Sequence, residues 1–104
     1  MEIYGDGLFW YIEEDDGSFV IGATEDAIDE AGDLFRVILA DGDEDITEDF
    51  SCGEIRGERE TITIPAPFNL KVMERNESIL ENCELLSEDP LGEGWLFRAL
   101  AEDA

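Results

Sequence analysis

Histidine is absent from this 104-residue chain, lysine occurs once, as Lys71, and only six residues in all are basic. Without histidine there is no Cys–His nucleophile, no Ser–His–Asp triad and no His-containing metal site. The two cysteines, Cys52 and Cys83, make neither a disulfide framework nor a zinc site. No apolar run approaches membrane-spanning length, and the start, MEIYGDGLFWY, lacks the basic and apolar stretches of a secretion signal. The expectation is a soluble, cytoplasmic protein.

Acid is what the chain has in excess: 29 aspartates and glutamates give a net charge of −23. Such a field repels nucleic-acid phosphates and anionic membranes, so neither is expected as a partner, whereas a basic protein would be attracted. The simpler reading of the surplus is solvation, or adaptation to a salty cytoplasm in which screening relieves self-repulsion. The length suits one domain, residues 1–104, and 43% hydrophobic residues can fill a modest core.

Short apolar runs separated by turns predict a mostly β protein. LFWYI (8–12), the turn EEDDGS and SFVIG (18–22) read as a hairpin, and LFRVILA (34–40) as a further strand. The alternation of threonine and isoleucine over Thr61 to Ile64 predicts a half-buried strand, which Pro65 and Pro67 break or confine to an edge. Leu70 to Met73 and Trp95 to Leu100 complete the strands. TEDAIDEAG predicts a helix with Thr24 as N-cap and Gly32 as its stop. SILENCELL predicts a second, with Ile79, Leu80, Cys83 and Leu86 on its apolar face and Cys83 a buried structural thiol. Many strands and two short helices suggest a compact β sandwich or barrel.

Several motifs fail as chemistry. Asp41, Asp43 and Asp45 begin like a calcium loop, but Ile46 stands where its glycine belongs and Cys52 where its bidentate glutamate belongs. An acidic, solvated turn is the reading. Gly5 and Gly7 lack the context of a phosphate loop. So many acids make any carboxylate pair uninformative, and a carboxylate hydrolase has no other support. No catalytic residue and no metal ligand is expected. In SEDPLGEGWLFRAL a turn on Asp89-Pro90, with Gly92 and Gly94 supplying positive φ, leads Trp95 and Phe97 into the last strand.

That last string resembles the C-terminal signature of the glycine-cleavage-system H-protein family, the lipoyl carriers of glycine decarboxylation. APFNLKVMERNESIL resembles the family's turn, strand and Asn-Glu before a short helix, and the spacing fits without a gap from Asn76 to Trp95. VIGATEDAIDEAGDLFRVIL resembles its strand–helix–strand, with Gly22, Thr24, Ala27, Gly32 and Asp33 in matching places, and Trp10 stands where the family has a tryptophan. The resemblance implies a lipoyl-domain type of fold, a barrel-sandwich hybrid: two antiparallel sheets with small helices at the ends. It also implies a lipoyl group, amide-linked to one lysine at the tip of an exposed hairpin.

This chain departs from that pattern where the chemistry sits. Counting back from Pro67 places the family's lysine at Arg59; counting forward from Phe50 places it at Gly57. No lysine occurs from Ser51 to Asn69, and a protonated guanidinium is not an acyl acceptor. Asp26, Ala31 and a missing histidine before Trp10 are further departures. The resemblance therefore implies a non-lipoylated member with no cofactor, not itself an enzyme, that docks on enzymes of glycine cleavage or lipoate handling. Arg56 and Arg59 are its candidate partner-binding residues; the plainer reading is that they offset Glu54, Glu58 and Glu60. The alternative is a true aminomethyl and lipoyl carrier whose attachment is displaced to Lys71.

Overall fold

Alternation of apolar and polar residues gives the strands one buried and one wet face. In Thr61–Pro65 the isoleucines are buried and the threonines exposed. A computed structural model of the chain describes residues 1–102. Its strands are β1 (Glu2–Tyr4), β2 (Phe9–Glu13), β3 (Phe19–Ala23), β4 (Leu34–Leu39), β5 (Asp45–Ile46), β6 (Ser51–Gly57), β7 (Thr61–Pro65), β8 (Leu70–Arg75) and β9 (Phe97–Ala101). The helices are α1 (Glu25–Ala31), α2 (Glu77–Glu81) and α3 (Glu84–Glu88). All described pairings are antiparallel, in a six-stranded sheet of order β1-β2-β3-β9-β8-β5 and a three-stranded sheet of order β4-β6-β7. This is the two-sheet arrangement with short helices expected above. No helix among the described residues is long and apolar enough to cross a membrane.

The core draws on both sheets. Phe9, Ile21, Leu70, Val72 and Phe97 come from the larger one, and Val37, Leu39, Ile55, Ile62 and Ile64 from the smaller. Each large side chain buried here contributes about 1.5–3 kcal/mol. An aromatic cluster closes one end: Tyr11 and Phe19 stand edge-on at 5.9 Å, and Phe68 meets Phe19 at 4.8 Å. Tyr4 belongs to the same end, 5.6 Å from Phe9, and its hydroxyl donates to the Pro65 carbonyl at 2.8 Å, tying one sheet to the other. That bond holds β1, a three-residue strand that EIY does not announce.

Local expectations needed correction at several points. SILENCELL is two helices, not one, because Asn82 leaves the helical region (φ −138°) and its side-chain oxygen accepts from the Glu84 N–H, starting α3 afresh. Cys83 is consequently half-buried, while Ile79 and Leu86 are fully buried. Thr24 precedes α1 but caps nothing with its side chain; its hydroxyl donates to the Gly7 carbonyl at 2.7 Å. Gly92 and Gly94 have no positive φ. They are glycine for space, since a Cβ at Gly94 would lie 2.7 Å from the Asp89 carbonyl oxygen. Trp95 precedes the last strand, which begins at Phe97. The acidic turn contains the two-residue β5, pairing Asp45 with Lys71 and Ile46 with Leu70. β7 lies at a sheet edge and ends on Pro65, as a proline-bearing strand must.

The two thiols should behave differently. Burial, reinforced by Glu44, pushes the Cys52 thiol up to about 12, so hardly any thiolate forms near neutrality. Iodoacetamide at mildly alkaline pH should modify Cys83 in the native protein and reach Cys52 only when denaturant is added. Equal rates at both would mean that β6 opens readily.

The candidate functional site at the hairpin tip

The chain turns from β6 to β7 through Glu58, Arg59 and Glu60, closed by the Gly57 N–H donating to the Glu60 carbonyl at 3.1 Å. This tip does not stand free. The Glu58 N–H donates to the Asp33 carbonyl and the Arg59 N–H to the Ala31 carbonyl, both at 2.9 Å. Gly57 permits the approach, because a Cβ there would collide with the Ala31 carbonyl. Gly32, at φ 81°, permits it from the other side, where a Cβ would come within 2.9 Å of Arg59 Cγ.

Arg59 completes the contact through its side chain. Its Nη1 donates to the Asp29 carbonyl at 3.0 Å. α1 has no basic residue in its last turn, and its final carbonyls need donors and favour positive charge. Arg59 supplies both from a position distant in sequence. Arg56 is engaged elsewhere: its Nε and Nη2 both donate to Glu54 Oε1, at 3.0 and 2.7 Å. The two arginines thus go to separate partners, and neither Glu58 nor Glu60 forms an ion pair with them among the described residues.

A residue not singled out in the sequence joins Arg56 instead. The register places Arg36 of β4 directly opposite Arg56, which is itself opposite Thr61. All three point away from the core, and Arg36 has no carboxylate partner among the described residues. Like charges set opposite one another destabilise a sheet, so the pair is a cost carried on a protein with few cations. Only the strand register places Arg36 beside Arg56.

Lys71 is in the other sheet, half-exposed within β8 and opposite Asp45 and Leu100. Glu102 lies against this group, its carboxyl raised chiefly by a hydrogen bond with Asp45, while the Lys71 charge acts to lower it. Asp41, Asp43 and Asp45 do not converge, and no group of three or more acidic or thiol side chains suited to a metal occurs among the described residues. Chemically, the tip offers guanidinium and carboxylate but no amine.

Comparison with known proteins bears on this geometry. The family model described as glycine cleavage H-protein matches residues 3–104. The chain is 40% identical over 86 residues to a glycine cleavage system H protein of Prochlorococcus marinus (strain AS9601), covering 83% of this chain and 67% of that one. It is 32% identical over 100 residues to one from Shewanella sp. (strain ANA-3), covering 96% and 78%. The crystal structure of a glycine cleavage system H protein from Mycobacterium marinum superposes with a TM-score of 0.87 at 26% identity, over 97% of this chain and 84% of the other.

Proposed function

This chain belongs to the glycine cleavage H-protein family, and on that premise we propose that it is a non-lipoylated member, a binding and regulatory module of the cytoplasm, not an enzyme. It docks on enzymes of glycine cleavage or lipoate handling and binds neither nucleic acid nor membrane. The observation that carries this reading is the tip itself. Arg59 stands there, no lysine lies between Ser51 and Asn69, and the side chain is spent on the end of α1. Between the two registers, Arg59 is the better supported, since position 57 has no room for any side chain. The cationic contact for a partner is Arg36 with the Glu54-paired Arg56 on the adjoining strands, and Arg59 fixes the tip beside them.

The second reading, an aminomethyl and lipoyl carrier, places the group on Lys71, the only side-chain amine. Against it, a lysine within a paired strand is not presented on a projecting turn, which a ligase must grip and a swinging arm must leave. Intact mass after incubation with lipoate and a lipoate ligase separates the two. The expected result is no modification of the natural chain and one lipoyl group on Arg59→Lys. Modification of the natural chain that disappears in Lys71→Arg would establish the carrier reading in its place.

A further inference from the structure

The outer face of the six-stranded sheet carries an apolar groove unrelated to the hairpin. Ile3, Trp10 and Gly22 lie in one row across β1, β2 and β3, and Ile12, Val20 and Arg98 in the next across β2, β3 and β9. The segment from Asp89 to Trp95 folds over this face, held by the Trp10 indole N–H, which donates to the Ala23 carbonyl at 3.0 Å and the Pro90 carbonyl at 3.2 Å. A hollow of about 250 Å³ remains, walled by Trp10, Trp95, Ile12 and Leu91. A shallower one of about 520 Å³ adjoins it through Met1 and Leu91 and runs past Ile3 to Glu25 and Asp26.

Two features mark this groove as a contact surface. Of the eight large apolar side chains exposed among the described residues, four (Met1, Ile3, Ile12 and Leu91) stand here, and such clustering on a charged surface signals a partner. The rim is also acidic. Arg98, the only basic side chain lining it among the described residues, is matched by Glu74 at 2.8 Å and Glu14 at 3.6 Å and sits 5.7 Å from the centre of the Trp95 ring. Glu25 and Asp26 have no basic partner among the described residues.

We propose that the groove docks a basic segment of another protein, with one leucine or aromatic side chain entering the hollow between Trp10 and Trp95 and lysines or arginines meeting Glu25 and Asp26. A second copy of this chain is a poor occupant, with six basic residues against 29 acids. An anionic membrane is repelled by the same charge. The site stands whether or not the hairpin carries lipoate.

The chain's two tryptophans both wall the hollow, so intrinsic fluorescence reports its occupancy directly. The probes are a short amphipathic leucine/lysine peptide and a glycine/lysine peptide of equal length and charge, at physiological ionic strength. The leucine/lysine peptide should shift emission to shorter wavelength with saturation, and the glycine/lysine peptide should not. Leu91→Asp and Ile12→Asp, both at exposed positions, should each weaken binding by about tenfold or more. Phe50→Asp, exposed outside the groove, should bind as the natural chain does. Equal response to both peptides, or undiminished binding by both groove variants, would overturn the proposal.

Discussion

Gly22→Ala is expected to lower the unfolding free energy by about 3–5 kcal/mol, as much as deleting the Trp10 side chain does. Gly22 lies opposite Trp10 in the β2–β3 register, and the indole covers it so closely that an alanine Cβ would fall among the ring carbons. No rotation of a methyl group relieves this. The indole must leave a site in which it is 3% exposed, giving up its bonds to Ala23 and Pro90 and releasing the segment that ends in Trp95. The two costs are therefore one cost, and they should not add. In a Trp10→Ala background, Gly22→Ala should change stability by less than about 1 kcal/mol, a coupling on the order of 3 kcal/mol. Urea midpoints at unchanged m-value measure all four corners of the cycle. Additive losses would mean that glycine is required at this position for a reason other than the indole.

Asn76→Asp should be the more damaging of two changes at a single buried position, and only above the carboxylate range. Asn76 is 5% exposed; its Nδ2 donates to the Glu93 carbonyl at 2.9 Å and the Trp95 carbonyl at 2.7 Å. Its Oδ1 accepts from the Ser78 N–H at 3.2 Å, capping α2. Alanine deprives all three groups of their partner, a loss of about 2–4 kcal/mol. Aspartate keeps the cap but turns an oxygen toward two carbonyls. Ionised, it repels them; protonated, it can donate to one. Its folded pKa must then rise above the unfolded value of about 3.9. A raised folded pKa gives stability that is fully present below the unfolded pKa and is lost as pH climbs through the folded one. The deficit of Asn76→Asp against the natural chain should shrink on going from about pH 7 to about pH 3, while that of Asn76→Ala should hold steady. A pH-independent deficit for the aspartate variant would mean that the side-chain amide does not face those carbonyls.

Both residues fall in strings that resemble the family's, yet their physical roles are legible there only in part. The alternation in TITI announced β7 and its buried face correctly, because a period of two is a local property that a sheet only has to accept. The glycines of GEGW were identified as necessary but for the wrong reason. Neither has a positive φ; Gly94 yields room for the Asp89 and Leu85 carbonyls, and Gly92 for the Asp89 carboxylate. SILENCELL has a helical apolar spacing throughout, and nothing in that spacing shows that the Asn82 side chain will take over the Glu84 N–H and restart the helix. Strands as short as EIY and Asp45–Ile46 leave no period to detect.

What residue identity settles without any fold is chemical capacity. A chain with no histidine and a single lysine, and with none from Ser51 to Asn69, has no amine to offer at that hairpin in any conformation. What needed the folded chain is which groups meet. Arg59 reaches the Asp29 carbonyl across 30 positions, Arg36 stands opposite Arg56 across a strand pair, and Trp10 shares a hollow with Trp95. Such meetings are fixed by sheet register and by the docking of loops over a face. Those are long-range pairings paid for by burial of the whole core, and they leave no mark on the local order of residues.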